Sequence, residues 1–246
     1  MNWPIFRYLD ITLATVGENL ALDEALLLEA EERGGPALLR VWELDHLAIV
    51  LGASGRINED VRREACEADG VPIARRSSGG GTVVIGPGAL NFTIVMPIDS
   101  APELRTVDQA QRLILERTAQ GLRVDCPSVE VLGSGDLTLG DRKFSGSAQR
   151  RLRRNLLVHA SLLYDFPLDR VEQYTRQPSR KPDYRRNRSH ADFLTNIPIS
   201  RERLLKALKI VWLEDDPGSS SPTIPEDIVQ KLLVTKFSKV EWIERL

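Results

Sequence analysis

The chain has 246 residues, 42% of them hydrophobic, and a formal net charge of −2, which predicts one large domain and excludes a global attraction to nucleic acid. Its two cysteines cannot form a disulfide framework, which indicates a reducing compartment. The N-terminus lacks the pattern of a signal peptide and no apolar run approaches the length of a membrane span, so we expect a cytoplasmic protein with no nucleic-acid or membrane partner.

The first predicted element is a helix over residues 18–35, where leucine and alanine recur at helical spacing. Asn19 is its expected N-cap, and Gly34 and Gly35 form its stop signal. Further helices are predicted over 58–70, 106–122, 200–216 and 225–237.

Strands are predicted over 36–44, 46–54, 71–76, 82–85, 89–97 and 156–166. Residues 129–151 form a predicted hairpin that turns at Gly140 and Asp141, and residues 215–222 a surface loop. Clustered strands with helices between them predict an α+β fold, in which a mixed, largely antiparallel β-sheet is flanked by α-helices.

The segment RRSSGGGTVVI, residues 75–85, places two arginines and three consecutive glycines between strands. A dinucleotide site or a P-loop needs a helix after the glycines, whereas strand and turn follow here. Residues without Cβ atoms let a ligand lie along the backbone, and Arg75 and Arg76 can bind a carboxylate or phosphate. The segment suits an elongated carboxylic acid or its anhydride with AMP, and a bulge or tight crossing in the sheet stays open as the alternative.

A second candidate cluster lies in GSGDLTLGDRKFSGSAQRR, residues 133–151. Lys143 follows the predicted turn and precedes small residues, so its ammonium can reach a phosphoryl or acyl oxygen where negative charge develops. Asp136 could hold a divalent cation near pyrophosphate. An exposed hairpin lysine and a turn-forming aspartate are the structural alternatives.

His159 lies between apolar residues in LLVHASLLYDF, residues 156–166. The order of residues along the chain suggests no Ser-His-Asp or Cys-His catalytic set that would include it. Three histidines without CxxC or HExxH spacing also argue against a zinc site.

These segments together resemble the lipoate–protein ligase A family, within the wider biotin/lipoate A/B ligase group. Residues 75–82 match the family pattern of two arginines, a variable residue, serine, three glycines and a small residue, and GDRKFSGSAQ matches its lysine motif. NLALDEALL, HASLL and TKFSKVEWI are similar to further family segments, in the same order along the chain.

The resemblance implies a single ligase-like catalytic domain over residues 1–246, without the accessory C-terminal domain of larger ligases. ATP and lipoate give lipoyl-AMP and pyrophosphate with Mg²⁺ assisting, and the lipoyl group then passes to a lysine of a lipoyl carrier protein. The implied carrier is a lipoyl domain or a protein like the glycine cleavage H protein, and an accessory ligase subunit is a further implied partner.

Carried onto this chain, the resemblance makes Lys143 the catalytic residue. The residues implied to bind substrate or adenylate are Arg75, Arg76, Ser78, Gly79, Gly80, Gly81, Thr82, Val83, Asp136, Ser145, Gly146, Ser147, Ala148 and His159. Asp136 is also the implied Mg²⁺ ligand. The chain departs from the family at Ile85 and Gly86, where relatives commonly carry His-Asp, and in the segment 51–61.

Other functions stay open beside the ligase. An octanoyl- or lipoyltransferase acting on a lipoyl carrier would need a positioned thiolate, and the segment before Lys143 contains no cysteine. Cys126 stands beside a proline and Cys66 inside a predicted helix, so both read as structural. A biotin ligase would show an arginine-rich GRGRxGR loop, which is missing, and a non-catalytic carrier-binding module is the third alternative.

The segment 175–193 is basic, and Asp183 is the single acid between Arg176 and Arg188. Those cations are Arg176, Arg180, Lys181, Arg185, Arg186 and Arg188. A solvated loop is one interpretation, and nucleic-acid binding has no accompanying aromatic pattern or module. Because lipoyl carrier domains are typically acidic, the segment could also steer a carrier to the site.

Overall fold

The computed structural model describes residues 3–178, 181–213 and 223–246, so the predicted loop at 215–222 and Arg180 lie outside the described residues. Within these ranges, no helix is both long and apolar enough to cross a membrane. The strands are β1 (Phe6–Asp10), β2 (Ala37–Trp42), β3 (Ala48–Leu51), β4 (Ile73–Arg75), β5 (Val83–Ile85), β6 (Ala89–Pro97), β7 (Val129–Leu132), β8 (Asp136–Leu139), β9 (Arg142–Arg151) and β10 (Asn155–Leu163).

The helices are α1 (Val16–Arg33), α2 (Ile57–Asp60), α3 (Arg63–Ala68), α4 (Val107–Leu122), α5 (Asp169–Tyr174), α6 (His190–Phe193), α7 (Arg201–Trp212), α8 (Glu226–Leu232) and α9 (Val240–Ile243). A π-helical turn over Leu233–Phe237 continues α8.

Seven strands form a main sheet in the order β1-β2-β6-β10-β9-β8-β7. Only β1 and β2 run parallel in it, and the other neighbours are antiparallel. A small sheet has the order β4-β3-β5, with β3 parallel to β4 and antiparallel to β5. The prediction of an α+β fold with a mixed, largely antiparallel sheet is therefore confirmed.

Each face of the main sheet is covered because alternate strand residues point to opposite sides. One face packs against α4 and α7 through a core that includes Phe92, Ile94 and Trp212. The other face packs against α1 and the small sheet through a second core that includes Leu27 and Val95. The small sheet thus stands over the main sheet beside α1, and this arrangement leaves room for a cavity between the two sheets.

The first helix begins earlier than its apolar spacing indicates, so the prediction of Asn19 as N-cap is wrong. Thr15 caps α1, since its hydroxyl accepts from the Glu18 amide at 3.2 Å while the Glu18 carboxylate accepts from the Thr15 amide at 2.8 Å. This capping box satisfies the helix start and leaves the Asn19 side chain free for other partners. Gly34 is the C-cap, as predicted.

The helix predicted over 58–70 is two short helices, α2 and α3. The chain extends at Val61, which forms an isolated antiparallel bridge with Thr175. A tertiary pairing with a distant segment therefore interrupts a stretch whose local composition favours one helix.

We predict that Gly121→Ala destabilises the protein, although alanine is the better helix former. A Cβ at this position in α4 would lie 2.5 Å from the carbonyl oxygen of Ala207 in α7, so the two helices would have to separate. We expect a loss of about 1–3 kcal/mol in the free energy of unfolding, measured by urea denaturation.

The matched control is Gly17→Ala in the first turn of α1, where the added Cβ would meet nothing closer than 3.8 Å. This variant should be as stable as the parent chain or more so. Equal stability of the two variants would contradict close packing of α4 against α7.

Candidate functional site

A cavity of about 760 Å³ lies between the main sheet and the small sheet. This volume is typical of sites for small ligands. Its wall comes from β9 and β10 of the main sheet, from β5 and the segments that flank the small sheet, and from the segment 175–194. The wall includes eleven of the residues expected at the site: Arg76, Gly80, Gly81, Thr82, Val83, Lys143, Ser145, Gly146, Ser147, Ala148 and His159.

The glycine loop, residues 76–82, is shaped by the side chain of its own first residue. The buried Arg76 guanidinium donates to the Gly79 carbonyl at 2.7 and 3.1 Å and to the Gly81 carbonyl at 2.8 Å. The described residues contain no cis peptide bond, so in each unit the N–H points opposite to the C=O. The Gly80 and Thr82 amides therefore point away from the guanidinium, on a loop that lines the cavity.

The charge of Arg76 is not neutralised by a carboxylate among the described residues. Its hydrogen-bond partners there are carbonyl groups, the third being that of Val50 at 3.3 Å. Burial lowers the pKa of the guanidinium to about 10, because desolvation disfavours the charged form. It remains protonated at neutral pH, so the loop offers a buried positive charge and outward amides to an anion.

Arg75 has a different place from the one that the sequence predicts. Its guanidinium donates to the carbonyls of Gly52 at 3.0 Å and Gly55 at 2.6 Å, and to that of Ile243 at 2.7 and 2.9 Å. It is fully buried and does not line the cavity. Arg75 therefore joins the segment after β3 to the C-terminal helix α9, behind the glycine loop.

Gly52 brings the glycine loop close to the small sheet. A Cβ at this position would lie 1.9 Å from the Gly80 carbonyl oxygen, so no other residue fits without moving the loop. Gly80 itself has a φ of +87°, a region that favours glycine. The sequence shows the glycine triplet but gives no sign that Gly52 is packed against it.

Lys143 projects beside the cavity because of a β-bulge. Leu137 pairs with Ser145 whereas Thr138 pairs with Lys143, so Phe144 is the extra residue of β9. The Lys143 ammonium then lies over Gly146, where a Cβ would be 2.7 Å from Nζ. The small residues after Lys143 thus make room for its side chain, as the sequence predicts.

Asp136 is the partner of Lys143. Its Oδ1 lies 2.6 Å from the Lys143 Nζ, and its Oδ2 accepts from the Tyr184 hydroxyl at 2.6 Å. Burial and the charge of Asp136 raise the pKa of Tyr184, which keeps this phenol a donor. The carboxylate therefore holds the ammonium in place and does not itself line the cavity.

The expectation that Asp136 binds Mg²⁺ does not fit this geometry. Both carboxylate oxygens are engaged, one of them by a cation, and the described residues contain no group of three or more potential metal ligands. Protein sites for Mg²⁺ generally offer free carboxylate oxygens and keep several waters.

His159 connects the glycine loop to the interior of the main sheet. Its Nε2 lies 2.6 Å from the Ser78 hydroxyl oxygen, and its Nδ1 lies 3.3 Å from Asp23 Oδ2. Burial alone would raise the pKa of the Asp23 carboxyl, but the charge of Arg40 and the hydrogen bond from His159 bring it below its ordinary value. Sequence order did not suggest this Ser-His-Asp arrangement.

Ser78 is nevertheless poorly placed as a nucleophile. It is 1% exposed and does not line the cavity, and neither does Gly79. Within β9, Ser147 is occupied structurally, since its hydroxyl donates to the Gly135 carbonyl at 2.8 Å and accepts from Gln111 at 2.6 Å. The Ser145 hydroxyl is buried at the cavity and has no hydrogen-bond partner among the residues that the structure describes.

The basic segment is only partly solvated. Arg185 is buried at the cavity with its guanidinium 4.7 Å from the centre of the Phe193 ring. Arg188 forms an ion pair with Asp141. Burial, together with the charge of Arg185, lowers the pKa of His190, which also lines the cavity. The sequence pattern marked the charges of this segment but not which of them are buried.

Neither cysteine lies at the cavity. Cys66 is buried in α3, and Cys126 is buried 3.5 Å from the Ser128 hydroxyl. The described part of the chain includes both, and the residues that line the cavity include neither. The site therefore has no thiol from which to form a thioester.

The model of one protein family, described as the lipoyl protein ligase A/B catalytic domain, matches residues 15–206. A protein of Aeropyrum pernix named "Putative lipoate-protein ligase A" is 33% identical over 155 residues, covering 63% of this chain and 56% of that protein. A Mycoplasma genitalium relative is 31% identical, covering 63% of this chain and 45% of that protein, so the chain spans about half the length of these two relatives. The octanoyltransferase LipM of Bacillus subtilis is 26% identical, covering 98% of this chain and 99% of that protein.

Solved structures share the fold. A bipartite lipoate protein ligase from Thermoplasma acidophilum, studied with its E2 lipoyl domain, has a TM-score of 0.79 at 22% identity, covering 99% of this chain and 97% of that chain. A lipoate-protein ligase A bound with ATP has a TM-score of 0.77 at 22% identity, with both chains covered completely. LipL1 of P. falciparum in complex with lipoate has a TM-score of 0.74 at 18% identity, covering 97% and 74%.

We predict that Gly52→Ala displaces the glycine loop and lowers the free energy of unfolding by about 1–3 kcal/mol, because its Cβ would overlap the Gly80 carbonyl. The measurement is urea denaturation of the variant beside the parent chain. Gly81→Ala is the matched control in the same region, since a Cβ there would meet nothing within 4 Å. A stable Gly52→Ala protein would show that the loop does not pack against Gly52.

Proposed function

The chain belongs to the lipoyl protein ligase A/B catalytic domain family, and on that premise we propose that it is a lipoate–protein ligase. It activates lipoate with ATP and transfers the lipoyl group to a lysine of a lipoyl carrier protein. One observation carries the proposal: Lys143 and the glycine loop line one cavity that neither cysteine reaches.

The cavity offers an apolar region for the acyl chain. Its apolar wall residues next to α1 and the small sheet are Leu20, Trp42, Val50, Val83 and Ile85. Burying the methylene groups of an eight-carbon acid against them is favourable by roughly 0.8 kcal/mol for each group. The carboxyl end then reaches the polar region, which contains Lys143 and the glycine loop.

The glycine loop and Lys143 act in the first half-reaction. The lipoate carboxylate forms a bond to the α-phosphorus of ATP, and the bond to pyrophosphate breaks. Negative charge on the phosphoryl oxygens is stabilised by the amides of Gly80 and Thr82, by the buried charge of Arg76 and by the Lys143 ammonium. Because these groups are already oriented, they need little reorganisation during the reaction.

Lys143 acts again in the second half-reaction. The neutral amine of a carrier lysine attacks the acyl carbon of lipoyl-AMP, a C–N bond forms and AMP leaves with the electrons of the C–O bond. The nitrogen releases one proton to solvent, so the product is a neutral amide. Charge grows on the carbonyl oxygen before AMP departs, and the ammonium of Lys143 stabilises it. Asp136, which itself accepts from Tyr184, keeps the ammonium in position.

The similarity to solved structures supports the proposed substrates and partners. ATP and lipoate are bound in solved structures that share this fold, and the bipartite Thermoplasma acidophilum ligase was studied with an E2 lipoyl domain. We therefore propose a lipoyl domain as the carrier and a second ligase subunit as a partner. An octanoyltransferase is the second candidate, because LipM of Bacillus subtilis matches over nearly its whole length.

The ligase proposal predicts lipoate-dependent exchange between ATP and labelled pyrophosphate, because formation of lipoyl-AMP is reversible. The purified chain is assayed with lipoate, octanoate and biotin in parallel, alone and with an added ligase subunit. Exchange is expected with lipoate and not with biotin, since the chain carries no biotin-ligase loop.

The two cysteines provide the control that separates the two candidates. Replacing both Cys66 and Cys126 by serine should leave exchange and transfer intact, because neither thiol lies at the cavity. Absence of exchange under every condition, together with a cysteine-dependent acyl transfer from a thioester, would instead support the transferase.

Lys143→Ala and Lys143→Arg are both predicted to lose most of the transfer of preformed lipoyl-AMP to the carrier. Loss of a preorganised charge typically costs about 3 kcal/mol of transition-state stabilisation, on the order of a hundredfold in rate. Arginine does not restore it, because its planar guanidinium cannot occupy the position of the ammonium over Gly146. The measurement is the single-turnover rate of transfer.

The control is Lys206→Ala, an exposed lysine of α7 on the opposite side of the main sheet. It should transfer at the parent rate. Near-normal transfer by Lys143→Ala would show that the Lys143 ammonium does not stabilise the transition state of transfer.

A further inference from the structure

A polar path that the reaction above does not use crosses the interior from α1 to the glycine loop. Arg40 of β2 forms an ion pair with Asp23 of α1, Asp23 contacts His159 of β10, and His159 contacts Ser78. The side chains of Arg40 and Asp23 are 0% and 3% exposed. Asp23 belongs to the motif NLALDEALL, whose polar residues lie on the buried side of α1, so the path gives this residue of the motif a role.

The inner end of the path is firmly held. Asn19 lies one helical turn before Asp23, and its Oδ1 accepts from Arg40 at 2.6 Å while its carbonyl accepts from the same guanidinium at 2.9 Å. Thr93 of β6 donates to Asp23 Oδ2 at 2.9 Å. A buried ion pair contributes little net stability, so the contribution of this one is mainly the fixed orientation of the carboxylate.

The outer end of the path lies at Ser78, beside Ser77, whose carbonyl accepts from Arg150 of β9 at 3.5 Å. Three glycines follow Ser78, so Ser78 is the last residue before them with a side chain that can be held. The bonds from Arg76 to Gly79 and Gly81 stay within the loop and determine its shape. The contact with His159 instead ties the loop to the main sheet.

The position of the glycine loop relative to the main sheet matters because the loop and Lys143, the two proposed catalytic elements, lie on different sheets. The glycine loop joins β4 to β5 of the small sheet, whereas Lys143 lies on β9 of the main sheet. His159 pairs with Ala148 of β9, so it stands next to the strand that carries Lys143. The distance between the loop amides and the ammonium therefore depends on how the small sheet is held against the main one.

We propose that His159, oriented by Asp23, is a positioning residue that sets the spacing between the glycine loop and Lys143. The proposal rests on the ligase function proposed above, in which both elements stabilise the same phosphoryl oxygens. His159 acts through Ser78 and makes no covalent bond. Ser78, buried and away from the cavity wall, likewise forms no acyl intermediate.

Three substitutions at His159 separate the two contacts of its ring. His159→Leu removes both, His159→Asn keeps a donor near Asp23 only, and His159→Gln keeps an amide that can reach Ser78. The matched control is Thr93→Val, which removes one hydrogen bond to the same Asp23 oxygen while the ion pair with Arg40 still orients the carboxylate.

The first measurement is the single-turnover rate of lipoyl-AMP formation. A misplacement of about 1 Å at a reacting centre can cost on the order of a hundredfold in rate, and we expect a loss of this size for His159→Leu and His159→Asn. His159→Gln should have a rate within roughly tenfold of the parent rate, and Thr93→Val should have the parent rate. Equal losses in all four variants would reveal a merely structural role and overturn the proposal.

The second measurement does not depend on catalysis. The Ala53 amide donates to the Ser78 carbonyl at 2.8 Å, so its hydrogen exchange reports how firmly the glycine loop is held at Ser78. We expect faster exchange at Ala53 in His159→Leu and parent-like exchange in Thr93→Val. Unchanged exchange in His159→Leu overturns the proposal even if the chain is an active ligase, and mass-spectrometric detection of an acyl group on Ser78 also overturns it.

Because this measurement needs no substrate, it separates the two proposals. Absence of pyrophosphate exchange in the parent chain would remove the ligase function, whereas the response of Ala53 would still decide whether His159 positions the loop.

Discussion

The site depends on the hydrogen bonds that the buried Arg76 guanidinium makes to carbonyl groups of its own loop. A planar cation with several donors can hold the Gly79 and Gly81 carbonyls together, and a trans peptide then turns the following amides in the opposite direction. Arg76 thus favours an anion in two ways, through its charge and through the amides that it orients. Direct contact between the arginine and a ligand is not needed for either effect.

Close approach of backbones makes this loop geometry compatible with the rest of the fold. Gly52 touches the Gly80 carbonyl, and Gly146 lies beneath the Lys143 ammonium. At both positions a missing Cβ provides the room that a functional group occupies. These two glycines therefore each make room for a particular partner, and their spacing along the chain does not reveal which partner that is.

The two sheets contribute different functional groups to one cavity. The main sheet supplies Lys143 and its counter-ion Asp136, and the small sheet supplies the glycine loop. The contacts between them include the His159–Ser78 hydrogen bond and the packing of α1 against both. Relative placement of the sheets is consequently as important for the proposed chemistry as the identity of the reacting residues.

Local sequence patterns are enough to predict the α+β class, most helices and strands, the turn at Gly140 and the two segments that meet at the cavity, because periodicity, turn residues and motif order are local properties. Tertiary structure decided the roles within the site. Arg75 is held by Ile243, 168 positions away, and Asp136 by Tyr184, 48 positions away, so burial and partners removed both from the cavity wall. Likewise Asp23 meets His159 only after α1 packs on the main sheet, since contacts between distant segments leave no mark in local sequence.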